Sequence, residues 1–271
     1  MEMDGSIYRL VITEHDNGQL LRYNKTKLAT LTLTDGSTVE IKGYFDDTPT
    51  LKVEHIDPYR ETLTDVVIHK GVKAIGDSNN YEGVFEDCTN LTNIFISSSV
   101  ERIANNAFMR CTNLKTVTIE DPTKLRYLGK PHNDFTFGYC ESLETINLTS
   151  DTPITYMPYR GFSKCTNLKS IIIPDTVVDI SSMALVDCSS LTEITIPAGV
   201  ETIGMQAFYN CTSLASITSL ATTPPECTGT QVFVNIPSTC KVYVPAESIS
   251  AYKAASQWKA FGNRIQAIPT T

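Results

Sequence analysis

The chain has 271 residues, of which 30 are acidic and 22 basic, so its formal net charge is −8. This acidic balance and the lack of a Lys/Arg-rich run argue against a nucleic-acid-binding surface, which needs concentrated positive charge. Hydrophobic residues make up 41% of the chain, enough for a folded core, and no apolar run reaches the roughly 18 residues of a membrane span. Residues 1–4 lack the basic start and apolar core of an export signal, so a secreted form would have lost its signal before this numbering begins.

Residues 1–60 predict β-strands separated by tight turns. Alternating segments run over 8–12, 28–34 and 38–41, and Asn17-Gly18 and Asp35-Gly36 are strong hairpin signals. Because these strands precede a repeated region, we expect them to form a β-rich N-terminal cap on its first unit rather than an independent domain.

From residue 61 the chain is repetitive. Six cysteines recur at intervals of 23 to 29 residues, each is followed three residues later by Leu, and a branched residue follows after three more. The cysteines are Cys88, Cys111, Cys140, Cys165, Cys188 and Cys211. An earlier unit with Leu63, Val66 and Ile68 keeps the same frame without a cysteine. We therefore expect about seven units over residues 61–220.

Each unit has two halves with different periods. The segment Leu-x-x-Ile-x-Ile ends in period-two alternation and predicts a short strand. The segment Val-x-x-Ile-Gly-x-x-Ala-Phe has a spacing that predicts a returning helical or 3₁₀ segment with Phe turned inward. One unit cannot bury both halves, whereas a stack has a continuous core. The sequence thus predicts an α/β repeat solenoid of leucine-rich repeats, a right-handed stack with parallel β-strands on one face and short helical or 3₁₀ segments on the other.

The pattern Ile-Pro-x-x-Val-x-x-Ile-Gly-x-x-Ala-Phe-x-x-Cys-x-x-Leu resembles the BspA-type leucine-rich repeat family of bacterial surface proteins. Its best copies begin at Ile173-Pro174 and Ile196-Pro197, and the resemblance covers residues 61–220. In the second, third and fourth units other residues replace the Pro: Ser97, Glu120 and Thr149. The resemblance implies display outside the cell, at a bacterial surface, and attachment to host or partner macromolecules.

Residues 221–271 are predicted to cap the far end of the stack with a helix and a strand. The segment 242–245 and the later Trp258 resemble the end cap common in that family. Pro245 favours the start of a helix, whose inner face carries Ile249, Tyr252, Ala255 and Trp258. A last strand over 264–268 is expected to close the edge of the sheet.

The cysteines favour a structural role. Repeat position alone accounts for six of them, and stacking places these in one inward column as small buried side chains with reduced thiols. Cys227 and Cys240 lie outside this column. The sequence leaves open whether they pair with each other.

No catalytic, metal-binding or cofactor-binding motif stands out. The four histidines belong to no His-Glu-x-x-His pattern, and the chain has no Gly-x-Ser-x-Gly elbow or Gly-rich phosphate loop. A linear column of cysteines without Cys-x-x-Cys does not supply tetrahedral zinc ligands. We expect a protein that is not an enzyme and has no metal or cofactor.

The first candidate binding surface consists of the outward residue between the two branched positions of each strand. These residues are Val67, Phe95, Thr118, Asn147, Ile172, Thr195 and Thr218. Together they tile the exposed strand face, which solenoids commonly use for binding. Small polar residues suit any exposed ladder, whereas Phe95 and Ile172 are apolar groups that can mark a contact site.

Irregular loops in the third and fourth units form a weaker candidate surface. An insert at 130–135 lengthens the third unit, and the neighbouring loops are rich in aromatic residues. The aromatics, with one histidine, are Tyr127, His132, Phe135, Tyr139, Tyr156 and Tyr159. They suit a platform for a sugar or a peptide, although covering the ragged edge of two irregular units is the favoured interpretation.

We therefore expect a non-catalytic binding or adhesion protein at the cell surface that contacts a protein or glycan through the exposed strand face. Two alternatives stay open. One is a structural spacer or assembly module, and the other is a glycan-binding accessory protein that uses the aromatic loops.

Overall fold

The computed structural model describes residues 25–44, 49–77 and 83–269. Over these residues the chain winds into a stack of units, most of which contribute one strand to a front ladder and a shorter strand to a side ladder. The remaining side of each unit, the turn face, consists of turns that lead to the repeat cysteine. The predicted solenoid with parallel strands is confirmed.

The front ladder consists of two sheets. In the first, the strand order is Thr145–Ile146, Thr116–Ile119, Asn93–Ile96, Leu63–Ile68, Lys25–Leu33 and Thr38–Tyr44. In the second, the order is Glu193–Ile196, Ser216–Ser219, Lys241–Val244 and Ile265–Ala267. Burial alternates along the repeat strands as predicted, because Ile94 and Ile96 point into the core and Phe95 between them faces outward.

An antiparallel hairpin extends the first sheet at its N-terminal end. Its strands meet at a turn with Gly36 at φ 80°, a conformation that glycine adopts most readily. Lys25–Leu33 then pairs antiparallel with the first repeat strand, and a helix at Val53–Ile56 and a 3₁₀ turn at Asp57–Tyr59 lie between the two. The strands predicted at 28–34 and 38–41 are confirmed, with bounds of Lys25–Leu33 and Thr38–Tyr44. The segment 8–12 and the Asn17-Gly18 turn lie outside the described residues.

The front ladder is interrupted at the fifth unit. Residues 170–173, which the repeat pattern predicts as a strand, are in neither sheet. The preceding strand ends after two residues, because the side chain of Asn147 bonds both the N–H and the C=O of Ile119, at 2.7 and 2.8 Å. In a regular unit a backbone N–H of the next strand bonds the corresponding carbonyl. For example, the Glu120 N–H donates to the carbonyl of Ile96. One asparagine side chain thus replaces the backbone pairing that would continue the sheet.

The side ladder occupies the second half of the units, where the spacing predicts helical or 3₁₀ segments. Its strands are two residues long and form two parallel sheets. They are Thr50–Leu51, Ala74–Ile75, Arg102–Ile103 and Tyr127–Leu128 in one sheet, and Tyr156–Met157, Asp179–Ile180, Thr202–Ile203 and Glu226–Cys227 in the other. Between residues 83 and 220 the only helical element is a 3₁₀ turn at Pro122–Lys124.

Backbone geometry explains why the turn face is not helical. Positive φ recurs four residues apart, for example 57° at Gln206 and 60° at Asn210, and such left-handed residues interrupt a helix. Every second N–H group then points to the next unit, so Phe208 donates to the carbonyl of Val232 and Asn210 to that of Val234, at 3.1 and 3.0 Å. The returning segment therefore satisfies about half of its backbone N–H groups between units, whereas a helix would satisfy them internally.

Two buried columns fill the core beneath the turn face, and the first is a stack of phenylalanine rings. The ring centroids of Phe85, Phe108, Phe137 and Phe162 are separated by 5.2, 5.0 and 5.4 Å in succession. Leu185 takes the next position. Offset stacking of this kind adds to the free energy gained from burying the rings.

The second column contains the repeat cysteines, all of which are buried as free thiols. From Cys111 onward, each repeat thiol donates to a carbonyl of the preceding unit, as Cys111 does to Phe85 and Cys188 to Phe162, at 2.9 and 3.1 Å. The predicted column of small buried side chains is confirmed. Cys227 and Cys240 are also free thiols.

The C-terminal segment covers Phe233, which stacks on Phe208 at 5.7 Å and ends the row of rings. It contains a 3₁₀ turn at Ala246–Ser248, a helix at Ile249–Ala254, a 3₁₀ segment at Trp258–Arg264 and the strand Ile265–Ala267. Trp258 packs on Phe233 at 4.8 Å, and the Tyr252 hydroxyl bonds the Ser219 hydroxyl at 2.7 Å. The helix is shorter than the predicted inner face requires, since it ends before Ala255. Both ladders continue past residue 220, through Glu226–Cys227 and Lys241–Val244.

Candidate binding surfaces

The register of the first sheet places Val67, Phe95 and Thr118 side by side on the front face. Val67 is 40% exposed and Phe95 37%. Because neighbouring strands lie about 4.8 Å apart, these two apolar side chains form one continuous patch. We call Val67 and Phe95 the front apolar pair.

Polar side chains surround the front apolar pair. Thr30 pairs with Val67 in the register and bonds the ring of His69 at 2.8 Å. Two residues earlier along the strands, the Asn93 side-chain amide donates to Asp65 at 2.8 Å. An apolar centre with a hydrogen-bonding rim is the usual anatomy of a protein–protein contact.

The predicted row of outward residues is not continuous. Asn147 is exposed, but its side-chain amide is engaged by the backbone of Ile119. Ile172 is 50% exposed and stands outside both sheets. The structure therefore separates the row into a patch around Phe95 and a second patch on the C-terminal sheet.

The second patch contains Thr195 and Thr218, which are in register, and Thr218 is half-buried. Tyr243 and Gln266 continue this row on the next two strands. The sequence interpretation missed Tyr243 because it assigned residues after 220 to a cap. The alternation of polar and apolar residues in Lys241–Val244 would have predicted this strand, in which Val242 and Val244 are buried and Tyr243 faces outward.

Three of the six side chains in the aromatic loops form one cluster. Phe135 contacts Tyr139 and Tyr159, with ring centroids 6.1 and 6.4 Å apart. Tyr156 instead donates its hydroxyl to the carbonyl of Gly129 at 2.9 Å. Tyr127, at 54% exposure, lies on the side ladder, and His132 is exposed. Among the described residues no ring contact joins Tyr127, His132 or Tyr156 to the Phe135 group, so the six do not form one platform.

A buried carboxylate anchors the insert at 130–135. Asp134 accepts hydrogen bonds from the N–H groups of Asn106 and Lys130, at 2.9 and 2.6 Å, and from the Thr136 hydroxyl at 2.7 Å. Burial raises the pKa of Asp134, and these donors oppose the increase. The insert is therefore a fixed structural element that positions Phe135.

The buried thiols are chemically quiet. Burial raises the pKa of Cys211 to about 12 and that of Cys227 also to about 12. Since the thiolate is the reactive form, these groups are protonated near neutral pH. Among the described residues no cluster of three His, Cys, Asp or Glu side chains could hold a metal ion, and no helix is long and apolar enough to cross a membrane.

Comparison with known proteins identifies the repeats. A profile of the family described as BspA type leucine rich repeat region matches residues 59–156 and 130–255, with six copies. No curated protein matches the chain.

Several solved structures are similar to this chain. A leucine rich cell surface protein from Faecalibacterium prausnitzii shares 25% identity over 80% of this chain, with a TM-score of 0.43. This chain spans about half of that protein, 54% of its length. A leucine rich repeat protein from T. pallidum shares 21% identity over 78% of this chain and 94% of its own, with a TM-score of 0.39. A leucine-rich repeat protein from Bacteroides ovatus shares 20% identity over 81% of this chain and 70% of its own, with a TM-score of 0.31.

Proposed function

We propose that this chain, which belongs to the BspA-type leucine-rich repeat family, is a non-catalytic binding protein that contacts a protein partner at a bacterial cell surface. Its family membership supports surface display. The observation that carries the proposal is the front apolar pair, Val67 and Phe95, exposed side by side on a rigid hydrogen-bonded sheet.

The geometry favours shallow contact over many residues rather than a deep pocket. The outward side chains in register with the front apolar pair on the neighbouring strands, Thr30 and Thr118, are small, and the repeat strands are held by parallel pairing over up to four residues. A surface that is ordered before binding loses little conformational entropy when a partner docks. The front apolar pair supplies the anchor, and the polar residues around it supply hydrogen bonds.

The expected contribution of the anchor is substantial. Burying a phenylalanine side chain completely is worth about 1.5–3 kcal/mol. Phe95 is already partly covered by its neighbours, so the lower half of that range applies. Loss of the ring should weaken binding about tenfold, since each 1.4 kcal/mol corresponds to a factor of ten in Kd.

The test is binding of the purified protein to an array of extracellular-matrix proteins and polysaccharides, with Val67→Asp and Phe95→Asp measured alongside. Val178→Asp is the matched control, because Val178 is 45% exposed and lies off the front ladder. Circular dichroism and thermal unfolding establish that all variants fold. We expect both front variants to lose binding to a protein ligand and the control to retain it.

Two outcomes would contradict the proposal. If the folded parent binds nothing on the array, a structural spacer accounts better for the repeat stack. If Val178→Asp weakens binding as much as Phe95→Asp, the contact depends on general surface charge and not on the front apolar pair.

A further inference from the structure

A groove of about 290 Å³ lies on the turn face, away from the front ladder. Its walls include Phe135, Tyr139, Arg160, Lys164, Met183 and Tyr209. We call it the turn-face groove. Its volume is at the lower end of the range for small-molecule sites, which suits one sugar-sized group.

Two cations in the turn-face groove lie over aromatic rings. The Arg160 guanidinium carbon is 5.2 Å from the Phe135 ring centroid and 5.4 Å from that of Tyr159. The Lys164 ammonium is 5.0 Å from the Tyr139 ring centroid. In the part of the chain that the structure describes, neither cation forms an ion pair with a carboxylate.

Repeat position shows that this arrangement is unusual for the stack. Arg110 occupies the same frame position as Lys164, directly before the repeat cysteine, and it pairs with Asp87 at 2.6 Å and with Glu86 at 2.7 Å. At the position of Asp87, the unit before Lys164 has Tyr139. An aromatic ring thus replaces the carboxylate, so the Lys164 ammonium contacts a ring where the Arg110 guanidinium contacts an acidic side chain.

A buried hydroxyl provides an independent sign of a ligand. Ser163 lines the turn-face groove and is only 3% exposed, yet its Oγ has no hydrogen-bond partner among the described residues. An unmet buried hydroxyl costs free energy, which a ligand hydroxyl or carboxylate could recover.

We propose that the turn-face groove binds a carboxylated sugar, such as a hexuronate or sialic acid residue of an acidic glycan. The carboxylate lies against Arg160 and Lys164, whose guanidinium and ammonium groups donate charge-assisted hydrogen bonds. The apolar face of the sugar ring packs on the aromatic walls, Gln206 bonds a ring hydroxyl, and rotation of the Ser163 side chain brings its buried Oγ to another.

One carboxylate also lines the turn-face groove, and it does not cancel the two cations. Asp187 Oδ1 accepts a hydrogen bond from the Asn210 amide at 2.7 Å, and the lining keeps a net positive charge within an acidic chain. The site is on a different face from the front apolar pair, so it does not depend on the function proposed above.

The repeats themselves supply substitutions that the backbone accepts. Gln206 occupies the frame position of Arg160, and Asn210 that of Lys164, and all four residues have positive φ. Arg160→Gln and Lys164→Asn therefore remove a charge without adding strain. Arg110→Asn is the matched control, since it removes one positive charge at the same frame position outside the turn-face groove.

The experiment is calorimetric and NMR titration of the full chain with methyl β-glucuronide and methyl α-N-acetylneuraminate. Methyl β-glucoside and N-acetylglutamate serve as the uncharged sugar and the non-sugar carboxylate. We expect saturable binding of at least one acidic sugar, weakened about tenfold or more by Arg160→Gln or Lys164→Asn. Arg110→Asn and the front variant Phe95→Asp should bind like the parent.

Three results would overturn the proposal. They are the absence of saturable binding of both acidic sugars, equal binding of N-acetylglutamate, and an equal loss of binding in Arg110→Asn. Because Phe95→Asp serves here as a control, failure of the sugar site leaves the front-face proposal to be judged on its own assay.

Discussion

The front face and the turn face belong to the same units but hold the stack together in different ways. On the front face, backbone pairing joins the units, and most outward side chains are free to vary, from Val67 and Phe95 to Thr195. On the turn face, the units are held together by the buried columns and by the N–H groups of the turns, such as that of Gln206, which bond the next unit. Substitutions beneath the turn face should therefore mostly lower stability. Substitutions on the front face should instead change binding without unfolding the protein.

The largest effect is expected in the phenylalanine column. Phe108 is fully buried and stacks on a ring at both sides, so Phe108→Ala should lower the free energy of unfolding by about 3–5 kcal/mol. Phe108→Leu is the control, because Leu185 already occupies this position in another unit, and its cost should be clearly smaller. Urea unfolding measures both, and equal losses would show that stability at this position depends on the stacked ring and not on apolar volume.

High pH should destabilise the cysteine column. Burial raises the pKa of Cys188 well above its usual range and that of Cys211 to about 12, whereas an unfolded thiol has a pKa of about 8.5. The thiol contribution to stability is therefore complete below pH 8.5 and is lost as the pH rises toward the folded pKa, by up to about 1.4 kcal/mol per pH unit for each thiol.

Urea midpoints at pH 8 and pH 10.5 for the parent and for Cys188→Ala test this expectation. Other titrating groups are common to both proteins, so the parent should lose more stability between the two pH values. An identical pH dependence would mean that Cys188 ionises in the folded protein as readily as in the unfolded chain.

The break in the front ladder should be sensitive to one outward side chain. Asn147→Ala removes both hydrogen bonds to the backbone of Ile119, so we expect a loss of about 1–2 kcal/mol. Asn147→Asp keeps only an acceptor and should recover part of this loss. Hydrogen exchange of the Ile119 amide reports the change, and unaltered protection in Asn147→Ala would indicate that backbone pairing re-forms there.

Surface ion pairs on the turn face should contribute little to stability. The Arg110 side chain is 40% exposed, and its bonds to Asp87 lower the pKa of that carboxyl. Because solvent screens such pairs, Arg110→Asn should cost less than about 1 kcal/mol. A much larger loss in thermal unfolding would reveal a structural role for this cation.

The smallest effect is expected on the front face of the C-terminal sheet. Thr195 is exposed between Ile194 and Ile196, so Thr195→Ala should change the free energy of unfolding by less than about 0.5 kcal/mol. A larger loss would mean that outward side chains, and not backbone pairing alone, hold the front ladder together.

The sequence predicted the repeat frame from local spacing alone. Cys188, Leu191, Ile194 and Ile196 are all buried where the pattern places them, because period-two alternation and a recurring Cys-x-x-Leu leave one arrangement that buries every apolar group. The conformation of the returning segment does not follow from the spacing. The spacing from Val200 to Phe208 fits a helix equally well, and the left-handed residues Gln206 and Asn210 are of types that many conformations accept.

The regular solenoid and its irregular side-chain contacts thus have different physical origins. The sequence by itself determined the solenoid, its inward columns and the exposed Phe95, because these follow from which residues must leave water. Only the tertiary structure decided that Asn147 ends the first sheet and that Arg160 and Lys164 meet aromatic rings. Those contacts join residues from neighbouring units, more than 20 positions apart, and depend on which side chains the winding of the chain brings within hydrogen-bonding or van der Waals distance.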